Sequence, residues 1–253
     1  VALRVTDASG LSDTATATVT VLTLAPVVSA GGDAEADEGA QFTRSGSFTD
    51  LSDTTWTATV DYGDGSGPVP LTLNPDKTFS LDHAYQDDGS YPVTVTVSDA
   101  GGATGQAAFR VLVGNVAPEV GPISTPAPAF AGLALPLSAT FTDPGVLDTH
   151  TAVWDWGDQS TTTGAVAEAG GSGTVTGSHA YAASGVYHVT LTVADDDGGH
   201  GLASFVVTVA PSVLVLDPTA PGALRLSGNA SLAVTGDVVV DSNSDTAVDA
   251  SGN

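Results

Sequence analysis

Three phrases occur twice in this chain, in the same order. Asp61-Tyr62-Gly63-Asp64-Gly65-Ser66 returns as Asp155-Trp156-Gly157-Asp158-Gln159-Ser160, and His83-Ala84-Tyr85 returns as His179-Ala180-Tyr181. Gly89-Ser90-Tyr91-Pro92-Val93-Thr94-Val95-Thr96-Val97 returns as Gly185-Val186-Tyr187-His188-Val189-Thr190-Leu191-Thr192-Val193. Residues 5–21 also align without a gap on 97–113 and on 193–209. Asp7 to Asp99 is 92 residues and Asp99 to Asp195 is 96. A period this long corresponds to one whole β-sandwich per repeat rather than to a solenoid turn.

Within a repeat the pattern has period two. Tyr91, Val93, Val95 and Val97 share one strand face and threonines take the other; Tyr187, Val189, Leu191 and Val193 repeat this. Trp56, Ala58, Val60 and Tyr62 alternate, as do Ala152, Trp154 and Trp156. Asp64-Gly65, Asp88-Gly89, Gly101-Gly102 and Gly198-Gly199 supply turns between strands. No long segment has helical period, so the expected class is all-β.

The ordered phrases resemble the PKD (polycystic kidney disease) domain, an immunoglobulin-like β-sandwich. Its hallmark runs close to Trp-Asp-Phe-Gly-Asp-Gly, His-x-Tyr, Gly-x-Tyr-x-Val-x-Leu-x-Val, then an Asp and a Gly-Gly turn. The resemblance implies complete PKD-like sandwiches over 25–116 and 117–210, and the last strands of a truncated copy over 1–24. Two departures stand out. Val60 holds the tryptophan position that Trp154 keeps in the second copy, and Gln159 replaces the second glycine of Gly-Asp-Gly.

Ala25-Pro26 and Ala117-Pro118 follow Asp7 and Asp99 at the same offset of 18 residues, and Ala210-Pro211 follows Asp195 slightly sooner. Proline fixes its own φ and pushes its predecessor into extended geometry, so short, stiff joints and a rod are expected. Residues 211–253 read as a partial β-rich domain, with short apolar pieces between Gly, Asn and Ser turns. Ser227-Gly228-Asn229 recurs as Ser251-Gly252-Asn253, 24 residues later. That interval suits one coil of a parallel β-helix, with an incomplete sandwich as the alternative.

The formal charge is −24, from 29 acidic and 5 basic residues. Such a chain repels nucleic acid and anionic membrane and attracts divalent cations or basic surfaces. Charged residues are nonetheless only 13% against 42% hydrophobic, a composition that folds rather than an acidic disordered tail. With no cysteine, neither disulfides nor thiolate metal sites can form. No apolar run approaches membrane length, so membrane insertion of this segment is not expected. Together with the resemblance, the Ala, Thr, Val, Gly and Ser richness points to an extracellular or bacterial cell-surface location. Any export signal is expected upstream of residue 1.

Aspartates cluster where strands end. Asp50 with Asp53, and Asp143 with Asp148, open corresponding loops, and calcium prefers such clustered oxygen donors. Some PKD domains bind calcium here with an asparagine from the preceding linker, a role the resemblance assigns to Asn115. Calcium is therefore the expected cofactor, and solvated turn carboxylates are the alternative. Asp195-Asp196-Asp197-Gly198 reads first as a hairpin turn.

Asp61, Asp64, Asp155 and Asp158 have the look of paired catalytic carboxylates. Beside glycine turns, such side chains more readily accept backbone N–H bonds and lock a hairpin. His83 and His179, with Tyr85 and Tyr181, are expected to tie a loop to the sandwich, since no strand–Gly-x-Ser-x-Gly–helix context surrounds them. Trp154 and Trp156 are expected in the core, and Trp56 is the candidate for an exposed sugar-stacking surface.

The expected function is a non-enzymatic structural or adhesive rod within a larger cell-surface or secreted protein or filament. Its expected partners are neighbouring domains or subunits of the same protein, with polysaccharide or protein at the cell surface. The alternatives are an accessory binding region of a secreted polysaccharide- or protein-degrading enzyme, and an enzyme whose catalytic part is a β-helix beginning near residue 212.

Overall fold

The computed structural model describes residues 2–16, 24–51, 54–216, 219, 221, 224–227, 232–234, 236–242, 244 and 248–251. Every regular element among them is a β-strand. By contacts the chain divides into two units. One holds residues 1–35, 41–83 and 90–112; the other holds 113–253 together with two short segments, 36–40 and 84–89.

The first complete repeat is a sandwich of two sheets. Val27–Ser29, Gln41–Thr49 and Thr78–Ala84 form one, in that spatial order. Ala34–Asp37, Thr104–Gly114, Gly89–Asp99, Trp56–Asp61 and Val69–Pro70 form the other. The alternation read from the sequence puts Val93, Val95 and Val97 inside and leaves Tyr91 half-buried. Val60, Phe79, Leu81 and Tyr85 are buried with them.

The second repeat has the same plan. Glu119–Val120, Ala134–Thr142, Ser172–Ala180 and Ala165–Glu168 face Ala129–Phe130, His200–Ala210, Gly185–Ala194, Thr151–Asp155 and Thr161–Thr163. Neighbouring strands run antiparallel, except that Ala129–Phe130 lies parallel to the end of His200–Ala210, a common device at a sandwich edge. Trp154 and Trp156 stack in its core at 5.4 Å, among Phe141, Leu137, Leu191 and Val175.

One turn occurs three times. The backbone N–H of Asp7 donates to the carbonyl of Leu11, that of Asp99 to Ala103, and that of Asp195 to Gly199. In each, the aspartate Oδ1 accepts a backbone N–H from across the turn. In the first instance the turn joins the hairpin of Ala2–Thr6 and Ser12–Thr16, whose residues are exposed on both faces.

Toward the other end the pairing becomes parallel. Val213–Leu216 pairs with Val238–Asp241, and Leu224–Ser227 pairs with Val248–Ser251. Partners are 25 and 24 residues apart, and Ser227 lies opposite Ser251. A parallel β-helix pairs its strands in this sense at about this interval. Asp237 anchors it within its unit: its Oδ2 accepts from the Ser184 backbone N–H at 3.1 Å and from the Ser184 hydroxyl at 2.6 Å.

Candidate metal centre

Strand Ala134–Thr142 delivers Asp143 to the end of its sheet, where the chain turns through 143–150 before re-entering as Thr151–Asp155. Asp143 Oδ1 accepts from the Gly145 N–H at 2.8 Å. Its Oδ2 lies 3.1 Å from His150 Nε2, and the other ring nitrogen of His150 lies 2.7 Å from Glu168 Oε2. The imidazole packs 4.6 Å from the Phe141 ring. Burial disfavours the charged ring, but bonds to Asp143 and Glu168 outweigh it and hold His150 above the usual histidine range.

Asp148 follows in the same loop and is 9% exposed, yet neither of its carboxylate oxygens has a hydrogen-bond partner. Glu38, 1% exposed, comes from the turn of segment 36–40 in the same unit. Its Oε1 accepts from the Val116 N–H at 2.7 Å, and its Oε2 is unpartnered. The approach that brings it there requires Gly39, which has φ +67° and would press a Cβ to 2.6 Å from Pro144. Oxygens of Glu38, Asp143 and Asp148 lie within 4.8 Å of one another.

Three buried acids at this spacing repel. Burial, then Glu38, Asp143, Asp87 and Asp196, push the Asp148 carboxyl up to about 7. Burial first, and then Asp143, Asp88 and Asp87, also push Glu38 up against the opposing bond from Val116. Unpaired buried carboxylates are costly, and a divalent cation would remove both the repulsion and the missing partners. The donors are all oxygens, the set a hard cation such as calcium prefers over softer metals. No lysine or arginine occurs in 36–40, 84–89, 143–150 or 195–199.

Of the residues singled out in the sequence, Asp143 and Asp148 come together here. Asn115 lies in the same unit, donating Nδ2 to Asp195 Oδ2 at 3.2 Å while its buried Oδ1 has no partner. Asp50 sits in the other unit, and Asp53 lies outside the described residues. Asp50 Oδ2 accepts from Trp56 Nε1 at 2.7 Å, and its carbonyl accepts from Lys77 Nζ at 2.7 Å. Trp56 thus takes the place of His150, and Thr54 stands where the second copy has Asp148. The first copy therefore has an indole and a lysine beside Asp50, where the second has an imidazole and a second carboxylate beside Asp143.

Glu38 was not legible as a candidate, because Asp37-Glu38-Gly39 reads as a solvated turn. One signal was available. Its counterpart in the second copy is Ala131, an apolar residue at a position that is buried in both.

Compared with known families, residues 23–113 and 115–209 each match the PKD domain, together well over half of the chain. The chain belongs to the PKD domain family. Comparison with curated proteins returned no match. Among solved structures it is similar to the PKD domain of an M14-like peptidase from a Thermoplasmatales archaeon, at 24% identity and TM-score 0.34, over 38% of this chain and 99% of that one. It is similar to the PKD1 domain of the Vibrio cholerae metalloprotease PrtV, at 25% identity and TM-score 0.29, over 38% of this chain and 99% of that one. A tetra-tandem repeat from the extending region of a large adhesion protein matches at 17% identity and TM-score 0.44, over 73% of this chain and 49% of that one.

In both PKD copies the Gly-Asp-Gly-type phrase is bonded into the scaffold. Asp61 and Asp155 each accept from the N–H two residues on, at 2.9 Å. Asp64 Oδ1 accepts from Ser66, and its Oδ2 lies 2.8 Å from His83 Nε2. Asp158 does the same with Ser160 and His179, the latter at 2.7 Å. His83 stacks on Tyr62 at 4.1 Å and His179 on Trp156 at 5.0 Å. Tyr181 then donates its hydroxyl to the Trp156 carbonyl at 3.0 Å, closing the loop onto the strand. Trp56 is half-buried, edge-on to Phe48 at 5.3 Å and under the Lys77 ammonium at 4.6 Å.

Proposed function

We propose that this tandem PKD array is a non-catalytic structural or adhesive segment of an extracellular protein, with a calcium ion at Glu38, Asp143 and Asp148 fixing the loops that meet there. The observation that carries the calcium reading is the set of buried, unpartnered oxygens on Glu38 and Asp148. The residues that most resembled catalytic machinery, Asp64 with His83 and Asp158 with His179, are engaged in turns stacked against core aromatics. All three tryptophans pack against the chain's own side chains, which gives the sugar-binding alternative no support. The charge of −24 favours cations and basic surfaces over nucleic acid, and neighbouring domains or subunits of the same protein are the natural partners of a repeated module.

Melting of the full chain in calcium and in chelator tests this. A ligand that binds the folded state alone, at one hundred times its dissociation constant, adds about 2.7 kcal/mol. Melting should rise in millimolar calcium, rise less in magnesium, which keeps its water shell, and respond less to calcium in Glu38→Gln. Identical melting with calcium and chelator would remove calcium from the reading. Hydrolysis of a glycan or peptide panel that is lost on Asp158→Ala would overturn the non-catalytic assignment.

A further inference from the structure

The carboxylates do not end at the first site. Asp148 belongs to a second group as well, with its oxygens and those of Asp196 and Asp197 within 4.8 Å of one another. Asp197 in turn groups with Asp87 and Asp88 at the same spacing. All of these residues lie in the same unit as Glu38 and Asp143.

Calcium–oxygen distances are about 2.3–2.6 Å, so ligands on opposite sides of one ion are at most about 5 Å apart. Each group is therefore the size of one cation's shell. Asp148 is the hinge between the group of Glu38 and Asp143 and the group of Asp196 and Asp197: both its oxygens are buried and neither has a partner, so each is available to a different ion. Seven carboxylates, Glu38 and Asp143 among them, carry a formal −7; one divalent ion leaves −5 and two leave −3. The turn is already closed by Asp195, whose Oδ1 accepts from the Asp197 and Gly199 N–H groups. Asp196 and Asp197 are thereby spared from closing it, although Asp196 Oδ1 also receives the Thr149 N–H at 2.9 Å.

We propose a second divalent-cation site formed by Asp148, Asp196 and Asp197, flanked through Asp197 by Asp87 and Asp88, with Asp148 bridging two ions. It rests on the calcium reading of the first site and extends it. The first ion joins the 36–40 turn to loop 143–148, and the second joins loop 143–148 to the 195–199 turn. Because Asp148 is common, filling one site removes repulsion from the other, and the two ions bind with coupled affinities.

Isothermal titration of the full chain with calcium decides the matter through differences in stoichiometry. Asp197→Asn should lower the number of ions bound by one, and so should Glu38→Gln. Asp148→Asn should weaken both sites. Each variant removes a repelling charge, so each should melt no lower than wild type in chelator, which confirms folding. An Asp197→Asn protein that binds as many ions as wild type, while Glu38→Gln binds one fewer, overturns the second site and leaves the first intact. No calcium binding by wild type overturns both.

Discussion

The Trp154 indole occupies the space that a side chain at Gly177 would need: a Cβ there would lie 2.5 Å from Trp154 Nε1. In the first copy the equivalent positions are Val60 and Leu81, both buried. A large residue on one strand and none on the facing sheet has been exchanged for two of intermediate size. The cores are alternative solutions to one packing problem, and mixing them should fail. Val60→Trp alone should destabilise by about 1–3 kcal/mol through overpacking. Leu81→Gly alone should cost at least the roughly 2–5 kcal/mol typical of emptying a leucine site. The double variant should be more stable than the sum of the singles by about 1 kcal/mol or more, as expected for residues in contact. Urea unfolding of the four full-length proteins measures this, and strict additivity would show that the positions do not share a space.

That pair also shows where sequence reading succeeds. The hallmark tryptophan was missing at Val60, and the strand face was right in both copies because period two fixes facing regardless of size. What compensates for a missing side chain lies on another strand, and one sequence does not state which strands face each other. Glu38 escaped for the same reason. It stands 105 residues before Asp143, and its chemistry depends on a burial that Asp-Glu-Gly does not advertise. Asp50 shows the converse: it matches Asp143 in the repeat, yet Trp56 in place of His150 and Thr54 in place of Asp148 give it different company. The parallel pairing of 213–251 was visible only as a recurring Ser-Gly-Asn, since short apolar strands look alike in parallel and antiparallel sheets.

Gln159 marks a second departure with a measurable cost. It has φ +73°, in the left-handed region, where its counterpart Gly65 has φ +87°. A residue with a Cβ loses roughly 1–2 kcal/mol there. Glycine would recover that but surrender about 0.5–1 kcal/mol of chain entropy. Gln159→Gly should therefore stabilise the chain slightly, by about 0.5–1 kcal/mol on balance, and Gly65→Gln should destabilise it by a similar amount. Thermal melting of both variants checks the pair. A loss of stability in Gln159→Gly would mean that the glutamine side chain makes a contact worth more than the strain.

Acid should loosen both copies through the same bond. Burial acts to raise the Asp158 carboxyl, but the Ser160 hydroxyl, His179 and the Ser160 N–H outweigh it and hold it below the usual range. Asp64 is held down in the same way by Ser66 and His83. A carboxyl whose pKa is lower folded than unfolded contributes fully above the unfolded value of about 3.9, and that contribution fades as pH falls through the folded value. Wild type should therefore lose stability steeply below about pH 4. Asp158→Asn, which cannot ionise, should start less stable at neutral pH and show a shallower acid slope. Ser160→Ala should fall between them, because it removes the largest of the stabilising bonds while keeping the carboxylate. Urea unfolding followed by tryptophan fluorescence suits the measurement, since the His179 ring that Asp158 holds lies 5.0 Å from Trp156. Stability curves for wild type and Asp158→Asn that run parallel across the acid range would show that the Asp158–His179 bond has no part in acid unfolding.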